Sequence, residues 1–182
     1  MMRILAALAL LSAVMPTYAQ QPPGRSLPVN IDADKVTVDD RQKIHIFEGS
    51  VVLTQGTMTI KGDKVVITQN TAGFHNGVAT AGSGRLVYFR QKRASDGTWI
   101  DGEAERIEYN SQTERARLFN RAQVQSAGNI VRGQYIEYDV ATENYLVTDA
   151  PGRPGGSKAP NEARVHVTIQ PKNNRQTGTE PR

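Results

Sequence analysis

The sequence predicts an all-β fold built from repeated strand units, and two observations carry that prediction. Apolar side chains alternate with period two, as at Phe47, Val51 and Leu53, which places them on one face of an extended strand. Outside residues 1–19, no segment of the 182-residue chain shows the 3.6-residue apolar periodicity of a helix. The length suits one domain with a substantial core.

A short pattern recurs four times along the chain. It consists of a small residue, an acid or amide, any residue, a β-branched residue, any residue and an apolar residue. Its copies begin at Ala33, Gly62, Ala104 and Gly133, and the first two copies have the same spacing as the last two. One shift therefore carries Ala33 onto Ala104 and Gly62 onto Gly133, and we call it the long repeat. Repetition at fixed spacing is typical of stacked structural units. We interpret the chain as an internal duplication, with chance matches in a β-rich sequence as the alternative.

The predicted strands of the first half follow one another closely. They cover residues 29–31, 36–38, 44–53, 58–67 and 86–90, and a further strand begins at Trp99. Turn signals separate them at 39–42, at Gln55-Gly56 and at 94–97. At Gly62 the apolar parity slips by one residue, which predicts a β-bulge or a tight corner.

Residues 71–84 are rich in Gly, Ala, Asn and Ser, and we interpret them as a loop with one weak strand. The second half repeats the plan of the first, with strands around 107–109, 118–124, 131–138 and 145–147. Residues 151–156 carry the Pro and Gly of a loop, and residues 164–169 alternate as a last strand.

The ends of the chain differ in composition from the middle. Residues 1–19 resemble a secretory signal peptide, with Arg3, an apolar stretch and a small-residue cleavage site at Ala19. An uncleaved anchor is the alternative. Residues 20–27 read as a flexible lead-in, residues 28–170 as the β-domain, and residues 171–182 as a disordered basic tail. We therefore expect an exported protein.

Charge and composition exclude several functional classes. The formal net charge is only +4 and is scattered along the chain, without the basic stripe interleaved with aromatics that marks nucleic-acid binding. There is no Cys, so neither disulfides nor thiolate metal sites are expected. His45, His75 and His166 lack the spacing of metal ligands.

No catalytic constellation is visible in the sequence. Acidic residues lie two apart at Asp32/Asp34 and Glu103/Glu105, a spacing that could serve acid–base chemistry. They lie on the parity opposite to the apolar face, which favours solvated strand faces. Motifs for a nucleophile elbow, a phosphate loop or a dinucleotide are absent. We expect no enzyme activity, no cofactor and no metal.

The interior of the predicted fold admits two interpretations. Inward positions are mostly Val, Ile, Leu and Ala, and aromatic residues make up only 6% of the chain. Such strand faces form either a thin, filled core or a groove wide enough for long acyl chains. The pattern alone leaves both open.

Five segments carry a resemblance to a known family. Residues 47–57 read FEGSVVLTQGT, and the segments 62–67, 89–92, 99–109 and 132–139 also match that family. Across residues 27–171 the chain resembles the OstA-like family of periplasmic lipopolysaccharide-transport bridge proteins. The connection at 71–84 departs from the family pattern.

The resemblance implies both a fold and a function. The fold is a twisted β-jellyroll of two antiparallel sheets, open at both ends, with an apolar groove that shields the acyl chains of lipid A in the periplasm. The implied partners are lipopolysaccharide, a bitopic inner-membrane protein, the N-terminal domain of the outer-membrane translocon and further copies stacked head to tail. A structural or adaptor protein of the cell envelope with a filled core is the alternative.

Candidate groove residues come from two sources. The resemblance carries over Val29, Ile31, Phe89 and Tyr109. Strand parity alone adds aliphatic and aromatic positions on the inward face: Val36, Val38, Phe47, Val51, Leu53, Ile60, Val65, Ile67, Leu118, Val124 and Val131.

Overall fold

A computed structural model describes residues 27–71, 73–148 and 165–170, which form twelve antiparallel β-strands. In chain order these are β1 Asn30–Asp32, β2 Lys35–Asp39, β3 Ile44–Gln55, β4 Met58–Asn70, β5 Gly73–Thr80, β6 Val87–Lys92, β7 Trp99–Ala104, β8 Arg106–Asn110, β9 Arg115–Ser126, β10 Asn129–Asp139, β11 Asn144–Thr148 and β12 His166–Thr168. None of the described residues forms a helix that could cross a membrane. The all-β prediction is confirmed, whereas the predicted signal peptide and basic tail lie outside the described residues.

The four long strands each contribute to two layers. The first half of β3 pairs with β2 and its second half with β1, while β4 pairs with β6 through its first half and with β5 through its second. Strands β9 and β10 divide in the same way. One layer, sheet I, follows the order β2-β3-β4-β5-β8-β9-β10-β11. The other, sheet II, follows β1-β3-β4-β6-β7-β9-β10-β12.

The long strands pass from one sheet to the other at irregular positions. On β3 the pairing register shifts between Glu48 and Val51, and the intervening Gly49 and Ser50 have φ of 85° and 44°. On β9 the corresponding residues Asn120 and Arg121 have φ of 60° and 49°. Two successive residues in the left-handed region bend the strand sharply. The bends join sheet I to sheet II along one side. We call the two packed sheets the stack.

Glycine is required where β4 and β10 turn the same corner. A Cβ at Gly62 would lie 2.9 Å from the carbonyl oxygen of Thr80, and one at Gly133 would lie 2.8 Å from Cγ1 of Val147. Real Cβ atoms are not found that close to backbone or branched side chains. The corner predicted at Gly62 is confirmed.

The strand bounds confirm the internal duplication. The shift of the long repeat carries both ends of β2 onto those of β8, and both ends of β3 onto those of β9. It also carries the start of β4 onto the start of β10. The two repeats are joined side by side, because β5 pairs with β8 in sheet I and β6 pairs with β7 in sheet II. Each sheet is therefore one four-strand unit followed by its copy.

Residues 71–84, interpreted as a loop with one weak strand, contain a regular strand over more than half of their length. Residues 73–80 form β5, which lies between β4 and β8 in the middle of sheet I. Its inward positions include Gly77 and Ala79, which are buried. Small side chains suit a tightly covered strand, but they lack the β-branched signal by which strands are predicted from sequence.

The inner faces of the two sheets pack directly on each other. The ring of Phe89 in sheet II meets the edge of Tyr138 in sheet I, with the ring centroids 6.4 Å apart. A Cβ at Gly102 in sheet II would lie 3.1 Å from Cδ2 of Leu118 in sheet I. Phe89 is 1% exposed and Leu118 is 0% exposed. The middle of the interior is filled by side chains.

Candidate functional site

The apolar interior between the sheets contains most of the residues predicted to line a groove. Nine of them belong to one buried cluster, namely Val51, Leu53, Ile60, Val65, Ile67, Phe89, Tyr109, Leu118 and Val124. Val131 is also buried, and Val29, Ile31 and Phe47 pack partly buried against the cluster. Strand parity therefore brings these side chains together on one continuous inner face.

Apolar inner-face positions become exposed at both ends of the stack. At the first end, Val36 and Val38 of β2 are 55% and 49% exposed, although their counterparts in β8, Ile107 and Tyr109, are buried. At the other end, Val167 of β12 is 51% exposed. These side chains are exposed because, among the described strands, β2 and β12 have no neighbour on their outer edge. The apolar inner face therefore continues to two open ends.

A cavity of about 500 Å³ opens along the side of the stack opposite the bends. Sheet I contributes Tyr109, Glu114, Val140 and Ala141, and sheet II contributes a longer set of lining residues: Gln55, Gly56, Thr57, Met58, Gln91, Lys92, Arg93, Ala94 and Gly97, with Leu27 before β1. The cavity therefore has apolar walls in both sheets, cationic side chains from sheet II and the buried acidic side chain of Glu114 from sheet I. We refer to this side as the mouth.

A polar contact closes the mouth beside the cavity. The backbone N–H of Ser95, in the β6–β7 turn of sheet II, donates to Oε1 of Glu143 in the β10–β11 turn of sheet I at 3.0 Å. The Ser95 hydroxyl donates to Oε2 of the same carboxylate, and Arg93 Nε lies 3.4 Å from that oxygen. We call this contact between Arg93, Ser95 and Glu143 the latch.

Electrostatics favour the charged form of both ionisable latch residues. Burial raises the pKa of Glu143, but hydrogen bonds from Ser95 and from the Ala94 backbone, together with the charge of Arg93, lower that pKa below its usual value. Burial lowers the pKa of Arg93, but Asp96 and Glu143 more than offset this effect and raise it. The latch is therefore an ion pair at neutral pH.

Tyr138 places a buried hydroxyl group in the interior. Its side chain is almost fully buried, and its oxygen has no hydrogen-bond partner among the described residues. Burial, together with the nearby Glu143 carboxylate, raises the pKa of Tyr138 to about 12. On the outer face of sheet I, burial and a hydrogen bond to Glu137 raise the pKa of Tyr135 to about 12 as well.

The raised pKa values of Tyr135 and Tyr138 predict that the protein loses stability at alkaline pH. A phenol whose pKa rises from 10 to about 12 on folding stabilises the fold fully below pH 10, and this contribution is lost as the pH rises towards 12. The free energy of unfolding of the wild type, measured by urea titration, should therefore fall steeply as the pH rises from 10 to 12. The free energy of unfolding of Tyr138→Phe should fall less steeply over the same range. Equal slopes for the two proteins would contradict the raised pKa of Tyr138.

The acidic pairs Asp32/Asp34 and Glu103/Glu105 lie at exposed or half-buried positions outside the core, as predicted, whereas Glu114 is buried and lines the cavity. On the outer face of sheet I, Glu137 pairs with Arg115 and Arg117 at 3.1 and 2.9 Å. Such exposed pairs contribute little to stability. Within residues 27–71, 73–148 and 165–170, no three His, Asp or Glu side chains lie close enough together to hold a metal ion.

Sequence reasoning misses the latch. Ser95 lies in a segment that the sequence identifies only as a turn, Arg93 directly precedes that segment, and Glu143 lies 48 residues after Ser95 in another turn. Only the folding of the two sheets onto each other brings these turns together. A charged residue in each of two turns is too common a pattern to predict such a contact.

Comparison with known proteins supports the resemblance. Residues 30–144 match the family model described as LptA/(LptD N-terminal domain) LPS transport protein. The lipopolysaccharide export system protein LptH of Pseudomonas aeruginosa is 32% identical over 152 residues, which cover 83% of each chain. The export protein LptA of Escherichia coli is 26% identical over 174 residues, which cover 96% of this chain and 90% of that protein.

A solved structure shares the fold. It is the crystal structure of P. aeruginosa LptH, described as the LptA-homologous periplasmic component of the conserved lipopolysaccharide transport device. It superposes with a TM-score of 0.72 at 28% identity, covering 82% of this chain and all of the other. The fold is thus the predicted β-jellyroll of two sheets. By sequence and by structure, the chain belongs to the LptA/LptD N-terminal domain family of LPS transport proteins.

Proposed function

We propose that this protein binds lipopolysaccharide in the periplasm and carries it between the inner and outer membranes without chemical change. The acyl chains of lipid A lie between the two sheets, along the inner-face residues described above. The observation that carries the proposal is the apolar inner face that continues, uncovered, to both ends of the stack. Family membership supplies the ligand class.

The packed interior requires the sheets to part before acyl chains enter. The bends at Gly49-Ser50 and Asn120-Arg121 join the sheets along one side, whereas the mouth is bridged by side-chain contacts. Opening at the mouth, with the bends as the hinge, exposes the inner face along its length. Burying acyl chains gains about 0.8 kcal/mol per methylene group, which offsets the lost contact between the sheets.

The proposed partners fit the open ends. Copies of this chain join head to tail, and the terminal strands also meet the bitopic inner-membrane protein and the N-terminal domain of the outer-membrane translocon. Unpaired strand edges are templates for strand addition. A contact that joins one end of a molecule to the other end of the next need not close, so it generates filaments.

The junction between the two internal repeats supplies the register of that contact in sheet I. Val147 on β11 lies opposite Ile136 of β10. In the first repeat, the counterpart of Ile136 is Val65, and Ala79 on β5 lies opposite it. Val147 therefore occupies the position that Ala79 has in the first repeat. Ala79 in turn pairs with Ile107 of β8. Because Val36 is the counterpart of Ile107 in the first repeat, Val147 should pair with Val36 of the next copy.

The same reasoning gives the register in sheet II. Val167 on β12 lies opposite Val131, as Phe89 on β6 lies opposite Ile60. Phe89 pairs with Gly102 of β7, whose counterpart is Ile31. Val167 should therefore pair with Ile31 of the next copy, and the exposed apolar residues of both ends become covered.

A photo-crosslinking experiment tests the lipid site. Benzophenone-alanine in place of Tyr109, which lines the cavity, should form an ultraviolet-dependent adduct with lipopolysaccharide. The same group in place of Trp99, which is exposed beside Arg90 and Lys92 on the outer face, is the matched control. Equal adducts at both positions, or none at Tyr109, would contradict lipid in the interior.

The alternative is a structural or adaptor protein of the envelope with a permanently filled core. The direct packing of Phe89 on Tyr138 and of Gly102 on Leu118 favours it. The same crosslinking experiment separates the two functions, because a core that never opens gives no adduct at Tyr109.

A further inference from the structure

The latch contains a preformed set of donors for an anion. The β6–β7 turn is held by its own hydrogen bonds, from Arg93 N–H to the Thr98 carbonyl at 2.8 Å and from Gly97 N–H to the Arg93 carbonyl at 3.1 Å. The turn presents the Ser95 N–H, the Ser95 hydroxyl and Arg93 Nε on one side, where they meet the Glu143 carboxylate. This shape does not depend on Glu143.

Glu143 fills the donor set incompletely. Arg93 Nε is buried and makes no aligned hydrogen bond, although the carboxylate lies 3.4 Å away. The two Nη atoms of Arg93 are engaged elsewhere, with Asp96 at 3.1 Å and with the Ser126 hydroxyl at 3.4 Å. The φ of Glu143, 58°, matches those of Lys43 and Glu114 in the equivalent turns, so it belongs to the turn and not to the contact with Ser95. The Glu143 carboxylate therefore leaves one donor of the set, Arg93 Nε, without an aligned acceptor.

The donor set adjoins the apolar cavity. Arg93, Ala94 and Gly97 of the turn line the cavity together with Lys92, and the apolar wall comes from Leu27, Met58, Tyr109 and Val140. Glu114 also lines the cavity, from the β8–β9 turn of sheet I. A site that places anion donors against an apolar slot fits a ligand with a negatively charged head and an acyl tail. A phosphate monoester carries about −1.5 to −2 charge at pH 7 and three acceptor oxygens, one more than the carboxylate offers.

We propose that the Arg93–Ser95 turn binds the phosphate head of an acylated amphiphile, and that Glu143 occupies this site in the free protein. The phosphate and the carboxylate cannot share the donors, because like charges at contact distance repel. Phosphate binding therefore displaces Glu143, and with it breaks the contact that holds sheet I against sheet II at the mouth. The head group of the ligand thereby opens the interior to its own tail. This inference rests on the proposed lipid site and adds a head-group site and its competitor.

Calorimetric titration with dodecyl phosphate tests the competition. Glu143→Gln keeps the shape of the side chain but removes the competing charge, and it should bind dodecyl phosphate about tenfold more tightly than the wild type, which corresponds to about 1.4 kcal/mol. Adding Ser95→Ala to Glu143→Gln removes one donor and should reverse most of that gain. The neutral dodecyl maltoside should bind all three proteins alike.

Several outcomes would overturn the proposal. Equal affinity of the wild type and Glu143→Gln for dodecyl phosphate excludes Glu143 as a competitor. An unchanged affinity when Ser95→Ala is added excludes the turn as the head-group site. Ser95 is exposed in a turn, so thermal unfolding should show all variants folded.

The Tyr109 crosslink and the dodecyl phosphate titration together separate the head-group site from transport through the interior. A lipopolysaccharide adduct at Tyr109, combined with no effect of Glu143→Gln on dodecyl phosphate, refutes the head-group site and leaves the lipid interior standing. If no lipopolysaccharide adduct forms at Tyr109 but Glu143→Gln binds dodecyl phosphate about tenfold more tightly, the phosphate site is supported and transport through the interior is refuted.

Discussion

A chain carrying Thr37→Cys and Leu146→Cys should form a ladder of disulfide-linked species on mild oxidation, from dimers to long chains. The internal junction pairs Val78 of β5 with Glu108 of β8, and Leu146 and Thr37 are their counterparts at the two ends. Both side chains are on the outer face and exposed, and Leu146 is 58% exposed. The Cα atoms of directly opposed residues in antiparallel strands lie about 4.5–5.5 Å apart, which is within the range of Cα–Cα distances that a disulfide spans.

The natural chain contains no cysteine, so every crosslink reports on the introduced pair. Non-reducing electrophoresis after oxidation measures the ladder. The matched control is Val38→Cys with Leu146→Cys, because Val38 faces the interior and Leu146 the exterior, and such a pair cannot meet across a strand junction. A ladder of equal strength from the control, or none from either pair up to high protein concentration, would refute this register.

Phe89→Asp should abolish cooperative folding. Phe89 is enclosed between the sheets against Tyr138, so the substitution removes a large buried aromatic ring and introduces a carboxylate without a cationic partner. Loss of a core aromatic costs about 3–5 kcal/mol, and burying a group that must remain hydrogen-bonded adds to that cost. Natural domains of this size have only about 5–15 kcal/mol of stability in total.

Circular dichroism with thermal unfolding measures this effect, and Phe89→Leu is its control. Leucine keeps an apolar side chain and should retain a cooperative transition at a somewhat lower temperature. Strand parity together with the family resemblance predicts that a charged residue at Phe89 lowers lipid loading while leaving the β-structure intact. The filled interior changes that expectation. A folded Phe89→Asp protein would show that the sheets separate readily even without lipid.

Sequence alone predicted the features that depend on neighbouring residues in the chain. Alternating parity placed Val51, Leu53 and Ile60 on the inner face, because a strand fixes the direction of each side chain relative to the next. The long repeat was also visible, since duplicated strands keep their pattern. The corner at Gly62 was recognised from the parity slip.

Tertiary structure alone decided features that depend on distant segments. β5 was predicted only as one weak strand within a loop, because Gly77 and Ala79 suit a tightly covered position but lack the β-branched side chains typical of strands. Whether the interior is filled depends on how closely two sheets approach, which no single strand encodes. The latch joins Ser95 to Glu143 only because the bends at Gly49-Ser50 and Asn120-Arg121 fold one sheet over the other. Local patterns set the faces of the strands, and long-range packing set what those faces enclose.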